Sequence, residues 1–267
     1  MKDTPFWAVG YVLIFLAMQV TAHTLVLAVS RFLGVGAVGG SDAVFTLIAL
    51  VLSSLAAICL FAWARWSPLS RSYVSSRPWA ALLWSAVAAA GGVLPSLYVQ
   101  DMLPAWPEPV QSYVDEAEAL ASQLLCTRGG YAVVCLLVPV AEEMVFRGAA
   151  LRTLLAWSPG HRWAMIALSA LLFALAHLNP AQMLHPFVFG LLLGWMYERT
   201  GSVLPGIVFH WANNTAAYLL FHAYPMPAVT LTDIFGHGVR PLLAVLFSLC
   251  ILVPSIVQLN VNMKRPV

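Results

Sequence analysis

Two adjacent glutamates and an arginine interrupt an apolar run in the stretch VPVAEEMVFRGAALR, residues 138–152. Glu143 and Arg147 are four residues apart, which is the spacing of an ion pair on one face of a helix. Glu142 lies about 100° round the helix axis from Glu143 and therefore needs a different environment. On its own, this stretch is compatible with a buried structural network, an ion or proton path, or a carboxylate that takes part in catalysis.

Two further motifs place imidazole and amide groups in apolar segments. FALAH holds Phe173 and His177 at the end of an apolar helix, shortly before an Asn-Pro pair that should break it. HWANN holds His210 and Asn214 four residues apart on one helical face, where a hydrogen bond between helices is the ordinary explanation. The three motifs together supply a carboxylate, two imidazoles and an amide, the groups that water activation and oxyanion stabilisation require.

Long apolar helices must position these groups. The chain has 267 residues, of which 61% are hydrophobic and 9% charged, against about 25% charged in a typical soluble domain. Its mean hydropathy is +0.85, and its apolar runs repeatedly reach the ~20 residues that cross a bilayer as an α-helix. We predict an all-α, polytopic transmembrane bundle with a functional cavity inside it. About eight spans are predicted, approximately over residues 6–30, 43–63, 79–99, 130–151, 163–177, 186–197, 203–221 and 241–259.

Three sections are predicted along the chain. Residues 1–129 hold N-terminal transmembrane helices and an acidic interfacial segment at 101–129, in which YVDEAEALASQLL is typical of a surface-lying amphipathic helix. Residues 130–222 hold the three motifs, and residues 223–267 form an outer loop and the last transmembrane helix. The cysteines lack CxxC spacing, so we interpret them as packing residues rather than as a disulfide framework or metal site: Cys59, Cys126, Cys135 and Cys250.

The distribution of Lys and Arg predicts the orientation. With the N-terminus in the cytoplasm, nine basic residues fall on the inner side and three on the outer side. The inner set is Lys2, Arg65, Arg71, Arg77, Arg152, Arg162, Arg199, Lys264 and Arg265, and the outer set is Arg31, Arg128 and Arg240. We predict an integral membrane protein of a bacterial inner membrane with both termini cytoplasmic. The net charge of +2, spread over scattered residues, does not indicate nucleic-acid binding.

The order of the motifs resembles a known family. EEMVFRG, FALAH and HWANN are similar to the EExxxR, FxxxH and HxxxN motifs of the CPBP family of intramembrane proteases, also called the CAAX prenyl protease 2 or Abi family. The resemblance runs from about Val138 to Tyr218 and includes the linking segment FVFGLLLGWMYERTGSVLPGIVFH. Residues 130–222 are thereby identified as a CPBP-like catalytic core.

The resemblance implies a role for each motif residue. Glu142 would be the general base and would share with His177 the water that attacks a peptide carbonyl. His210 and Asn214 would stabilise the oxyanion. The supporting residues would be Glu143, Arg147 and Phe173, the last of which packs beside the site.

The resemblance also implies a function. The chain would be an endopeptidase that hydrolyses a peptide bond in a membrane-associated or C-terminal substrate segment, as in processing of a CAAX tail, a C-terminal sorting signal or a peptide precursor. Its partners would be that protein or peptide and the lipid bilayer; the sequence indicates no oligomeric state. Two other classes remain open: a transporter or channel that uses the buried Glu, Arg and His residues as an ion or proton relay, and a noncatalytic scaffold that binds partner helices.

Metal dependence is a separate question. Glu142, His177 and His210 could bind zinc and leave a fourth position for water. The sequence has no HExxH motif, however, and Glu143 is expected to pair with Arg147 rather than to support a ligand. We therefore favour a glutamate-type mechanism without a cofactor, with a zinc peptidase as the alternative.

Depth in the membrane constrains the site. Glu142 lies some ~18 Å below the outer start of its helix at 1.5 Å per residue, whereas His177 ends a span near the outer surface. For the two to meet, the helix ending at His177 must stop below the surface, with LNPAQMLHP as non-helical backbone that lines a water-filled cavity. The histidines outside the motifs are assigned to loops, interfaces or packing: His23, His161, His185, His222 and His237.

Overall fold

The computed structural model describes residues 4–34, 41–68, 71–103, 106–180, 183–224 and 230–263, which contain helices and no strand. The predicted all-α architecture is confirmed. Of the basic residues assigned to the inner side, Lys2, Lys264 and Arg265 lie outside the described residues. The helices are α1 (Pro5–Phe32), α2 (Ser41–Trp63), α3 (Arg71–Ser75), α4 (Trp79–Asp101), α5 (Val110–Cys126), α6 (Tyr131–Trp157), α7 (Arg162–Ala176), α8 (Leu184–Thr200), α9 (Leu204–Ala223), α10 (Leu231–Phe235) and α11 (Arg240–Asn262).

The helix that carries the first motif, α6, is not uniform. It begins as a π-helix over Tyr131–Leu137 and continues as an α-helix over Val138–Glu143. It then returns to π geometry over Met144–Leu151 and ends as an α-helix over Arg152–Trp157. π-Helical turns bond residue i to residue i+5, are rare, and occur frequently at functional sites. The adjacent glutamates of the first motif thus stand where an α-helical segment meets a π-helical one.

Length and composition identify the membrane-crossing helices among the described residues. Five qualify: Pro5–Phe32, Ala43–Trp63, Trp79–Asp101, Pro159–Ala176 and Arg240–Asn262. A sixth span results if α5 and α6, which meet at a bend of 106°, are counted together. α8 and α9 are helical where spans are predicted, but α8 has only 17 residues and α9 contains the polar third motif. The chain is an integral membrane protein in which five or six helices, against the eight predicted, meet these criteria.

Close packing holds α7 and α8 together beside α6. A Cβ atom at Gly190 would lie 2.9 Å from the Cβ of Ala170, and one at Gly194 would lie 2.8 Å from the Cγ2 of Ile166. Neither separation leaves room for a side chain, because protein interiors are already close-packed. The two glycines therefore allow α8 to approach the helix of the second motif closely.

A second close contact fixes α4 against α11. The Ser248 hydroxyl donates to the carbonyl of Gly91 at 3.0 Å, and a Cβ at Gly91 would lie 2.7 Å from the backbone nitrogen of Leu252. α4 also packs along α9, the helix of the third motif. One membrane helix of the N-terminal section is thereby placed next to the catalytic residues predicted from the motifs.

The predicted amphipathic helix forms as α5 and covers the end of α7. The Tyr113 hydroxyl of α5 donates to the carbonyl oxygen of Leu178 at 2.9 Å. α7 ends at Ala176, and Leu178 has a positive φ of 53°, so the described backbone leaves helical geometry at the second motif. The predicted helix end is present, but the predicted non-helical segment LNPAQMLHP is too long, because its last three residues, Leu184–Pro186, already lie in α8; Ala181 and Gln182 lie outside the described residues.

Candidate active site

One cavity collects polar groups from all three motifs. It has a volume of about 320 Å³ and lies between α5, α6, α7, α8 and α9. All four residues assigned catalytic roles by resemblance line it: Glu142, His177, His210 and Asn214. Apolar side chains complete much of the wall, among them Leu124, Leu125, Phe189 and Leu193. Residues that are far apart in the sequence therefore converge on one space of the size of a small ligand site.

His210 stands between the two glutamates of the first motif. Its Nε2 lies 3.7 Å from Glu142 Oε2, and its Nδ1 lies 3.4 Å from Glu143 Oε1. The side chains of His210 and Glu142 are 11% and 14% exposed, so both reach the cavity while remaining mostly buried. Because a carboxylate can only accept a hydrogen bond, both glutamates favour a ring nitrogen that donates.

His177 has a defined tautomer. Its Nδ1 lies 2.8 Å from the backbone carbonyl oxygen of Phe173. A carbonyl oxygen can only accept, so the proton of a neutral ring lies on Nδ1, and Nε2 carries a free lone pair. His177 can therefore accept a hydrogen bond in the cavity that it lines.

Glu143 and Arg147 form the predicted ion pair. Arg147 Nη1 lies 2.6 Å from Glu143 Oε1, and the two side chains are 1% and 0% exposed. The guanidinium carbon also lies 4.2 Å from the centre of the Phe173 ring, a cation–π contact. A Cβ at Gly206 would lie 2.6 Å from Glu143 Oε2, so this position of α9 accommodates only glycine beside the carboxylate.

Phe173 connects the buried ion pair to the imidazoles. Its ring is nearly perpendicular to that of His177, with centroids 4.8 Å apart, and nearly perpendicular to that of His210 at 5.9 Å. Phe146 packs edge-on against its remaining side at 5.0 Å. Phe173 thus fixes the orientation of both rings and offers no group that could transfer a proton.

The side-chain amide of Asn214 is tied to the backbone of α6. Its Nδ2 donates to the carbonyl oxygen of Val134 at 3.1 Å. Two neighbours that the motif analysis did not select, His185 and Asn213, line the same cavity. His185 was assigned to a loop, an interface or packing, and the structure corrects that assignment. It belongs to no motif, and only its position shortly after the predicted helix break could have indicated the cavity.

The zinc alternative requires Glu142, His177 and His210 to meet at one ion. Within the part of the chain that the structure describes, no three His, Cys, Asp or Glu side chains are grouped so that they could hold a metal ion. Of the three proposed ligands, Glu142 and His210 approach each other. The backbone bond of His177 Nδ1 leaves Nε2 free, an arrangement that metal-bound histidines also use. Metal dependence therefore belongs to the proposal and its test.

Comparison with known proteins gives a match for the segment that carries the three motifs. Residues 127–216, about a third of the chain, match a family model described as type II CAAX prenyl endopeptidase Rce1-like. This segment includes all three motifs, together with His185 and Asn213. No match was found among curated proteins or among solved structures.

Proposed function

We propose that the chain is an intramembrane endopeptidase that uses Glu142 rather than a metal to activate water. The match of residues 127–216 to the type II CAAX prenyl endopeptidase Rce1-like model supports this proposal. The observation that carries the proposal is the convergence of Glu142, His177, His210 and Asn214 on one cavity. These residues come from α6, the residue that follows α7, and α9, and they include every group that the reaction needs.

We assign water activation to Glu142 and His177. A water that donates one hydrogen bond to the Glu142 carboxylate and the other to the free Nε2 of His177 has both protons engaged and a lone pair free for the substrate carbonyl carbon. As the new C–O bond forms, the carboxylate takes the proton. The same proton can then pass to the leaving nitrogen when the C–N bond breaks, which restores the carboxylate.

We assign oxyanion stabilisation to His210 and Asn214. The Asn214 amide uses one N–H for Val134 and retains a second for a substrate oxygen. His210 Nε2 faces Glu142 across 3.7 Å, and a substrate oxygen placed between α6 and α9 would accept from it. Donors that are already fixed stabilise charge that develops only in the transition state.

The substrate is proposed to be a peptide segment at or in the membrane, such as a C-terminal tail, a sorting signal or a peptide precursor. The cavity supports this class because its wall combines the polar groups with apolar side chains from α5 and α8. The proposed cell location is a bacterial inner membrane.

The proposed orientation places both termini in the cytoplasm. Arg152 and Arg162, two members of the predicted inner set, line a common cavity, and Arg152 Nη1 contacts the carbonyl oxygen of Trp66 at the end of α2 at 3.4 Å. These basic residues lie at the opposite end of α7 from His177. The exposed thiol of Cys126, near the outer-set residue Arg128, should then react with a membrane-impermeant thiol reagent in intact cells.

Two assays test the function. Purified protein in detergent is offered two internally quenched peptides that differ only in a prenyl thioether on one cysteine. In parallel, the termini of membrane proteins are compared between cells with wild-type protein and cells with Glu142→Gln. We expect cleavage that Glu142→Gln abolishes; cleavage of the prenylated peptide alone would assign a prenylated tail as the substrate. Movement of solute into liposomes with no new termini would instead support a transporter.

Metal dependence is tested on the same protein. We expect activity to survive phenanthroline and elemental analysis to find no stoichiometric zinc. A zinc enzyme would behave otherwise, because the pKa of its water falls to ~7 only while metal is bound. One zinc per chain, lost and restored together with activity, would overturn the glutamate-type mechanism and leave the peptidase assignment intact.

A further inference from the structure

A chain of hydrogen bonds reaches the Asn214 amide from α4. Ser96 Oγ is hydrogen-bonded to His185 Nδ1, and His185 Nε2 lies 3.5 Å from Asn213 Nδ2. Asn213 Nδ2 in turn lies 3.3 Å from Asn214 Oδ1. The four side chains come from α4, α8 and α9, so they connect three helices along one wall of the candidate active site.

The backbone of α6 sets the direction of this chain. The carbonyl of Val134 can only accept, so the Asn214 amide must direct Nδ2 toward it and present Oδ1 to Asn213. Oδ1 also can only accept, so the Asn213 amide must direct its Nδ2 toward Asn214. With its second N–H, Asn213 then donates to His185 Nε2. His185 therefore carries its proton on Nδ1 and donates it to the Ser96 hydroxyl.

We propose that His185 and Asn213 are positioning residues that hold the Asn214 amide with its free N–H toward the oxyanion. This inference rests on the proposed function of Asn214. The terminal torsion of an asparagine is broad and roughly two-fold, so an unsupported amide can present oxygen in place of nitrogen. An oxygen at that point would repel the developing negative charge, whereas the Asn213 donor holds Oδ1 away from the substrate.

The His185 ring is itself held in place. The Phe189 ring lies against it, with the two ring centres 4.1 Å apart, and the Ser96 bond fixes the opposite direction of the ring. Asn213 is 8% exposed, so water has little access with which to replace a lost partner. The cost of an unmade hydrogen bond at this position is correspondingly high.

The first experiment measures the tautomer without any substrate. Protein labelled with ¹⁵N-histidine in detergent is compared with His185→Gln, and the signal that disappears belongs to His185. We expect a protonated Nδ1 and an unprotonated Nε2. In Asn213→Asp, an isosteric change that replaces the donor by an acceptor, the proton should move to Nε2. A wild-type His185 protonated on Nε2 would overturn the proposal, whatever the function of the cavity.

The second experiment measures cleavage of the quenched peptide. His185→Ala should lower kcat about tenfold with KM unchanged, because one typical hydrogen bond corresponds to about that factor. His185→Gln, which keeps an acceptor and a donor, should recover part of the loss. In the Asn214→Ala background, His185→Ala should cause no further loss, since the group that it positions is gone.

A matched control and two contrary outcomes complete the design. His161→Ala removes another histidine that lies 3.1 Å from a serine hydroxyl, Ser158, but is exposed and outside the cavity, so its kcat should equal that of wild type. An equal loss from His185→Ala in both backgrounds would overturn the positioning role. If Asn214→Ala alone left kcat unchanged, the proposed oxyanion function of Asn214 would be wrong. The tautomer measurement would still show whether the hydrogen-bond chain exists.

Discussion

Two cavities of this protein, at opposite ends of α7, differ in how their polar groups are held. The cavity at the C-terminal end has a volume of about 320 Å³ and holds the Glu, His and Asn groups of the three motifs. The cavity at the N-terminal end is larger, about 600 Å³, and is lined by Arg152, Arg162 and Glu198. Size alone would therefore select the second. The first cavity is the better candidate for the active site, because its polar side chains converge and are fixed to one another and to the backbone.

An ion pair near each cavity makes the same contrast quantitative. Arg147 and Glu143 approach to 2.6 Å at 1% and 0% exposure, whereas Arg162 and Glu198 are 3.6 Å apart at 55% and 17% exposure. The first pair is withdrawn from water, so each member depends on the other. The second is screened by solvent and contributes little. Five predictions, described from the largest expected effect to the smallest, should sharpen or break this contrast.

Removal of the proposed base should have the largest effect. Glu142→Ala, His177→Ala and His210→Ala should each abolish cleavage, because they remove the base, its partner in holding the water, and the principal oxyanion donor, respectively. Peptide cleavage is measured on protein whose thermal unfolding matches that of wild type. Wild-type turnover by a folded Glu142→Ala protein would show that this cavity is not the catalytic one, and the contrast between the two cavities would no longer concern function.

Arg147→Ala should mainly damage the fold. It leaves the Glu143 carboxylate buried without its counter-ion, at a cost of ~3 to 5 kcal/mol. We expect lower expression and a lower Tm in detergent than for wild type. A variant with wild-type Tm but no activity would show that the pair acts in the chemistry rather than in support of it.

Asn214→Ala should leave a measurable reaction. Loss of a single oxyanion donor lowers the rate by ~10²- to 10³-fold, since the other donor and the water-activating residues remain. The decrease should appear in kcat in the peptide assay. A complete loss at wild-type stability would mean that Asn214 has a further role in the mechanism.

Gly206→Ala should strain the buried pair from the side of α9. The new Cβ would lie 2.6 Å from Glu143 Oε2, an oxygen that Arg147 prevents from moving freely, and overpacking of this kind costs ~1 to 3 kcal/mol. Gly10→Ala is the matched control, because its Cβ would have no neighbour within 4 Å. Tm should be lower for Gly206→Ala than for Gly10→Ala. Equal Tm values would show that the Glu143–Arg147 pair can shift at little cost.

Arg162→Ala should have the smallest effect. An exposed ion pair of this geometry contributes at most ~1 kcal/mol, so Tm should change by a few degrees or less and kcat should not change. A large loss of activity would show that the N-terminal cavity takes part in the function and would end the contrast drawn above.

The sequence predicts the helices well because apolar runs of sufficient length have few alternatives in a bilayer. All eight predicted spans are helical, with ends that differ by a few residues from those observed. The number of helices that are long and apolar enough to cross the membrane is less predictable, since α8 is short and α9 contains the polar third motif. The Glu143–Arg147 pair follows from i,i+4 spacing alone.

The parts that could not be predicted depend on contacts between distant segments. No local pattern connects Ser96 with His185, which are hydrogen-bonded across two helices. The π-helical segments of α6 could not be predicted either, because an apolar run in a membrane protein shows little periodicity that would distinguish a π-helical turn from an α-helical one. The motifs therefore contain the groups of the proposed chemistry but do not indicate the residues that orient them.

The π-helical turns of α6 also limit how the length of this gene can vary. Each such turn holds about one residue more than an α-helical turn, so deletion of a single codon within 131–137 is absorbed by reversion to ordinary α-helix. The α-helical segment Val138–Glu143 has no extra residue to lose, so a deletion there would rotate the residues on either side by about 100° relative to each other, and Glu142 would no longer face α9. Surface loops tolerate insertions at small cost. Across descendants of this sequence, we expect insertions and deletions to accumulate between the helices, single deletions to be tolerated in the π-helical segment 131–137, and none to occur within 138–143.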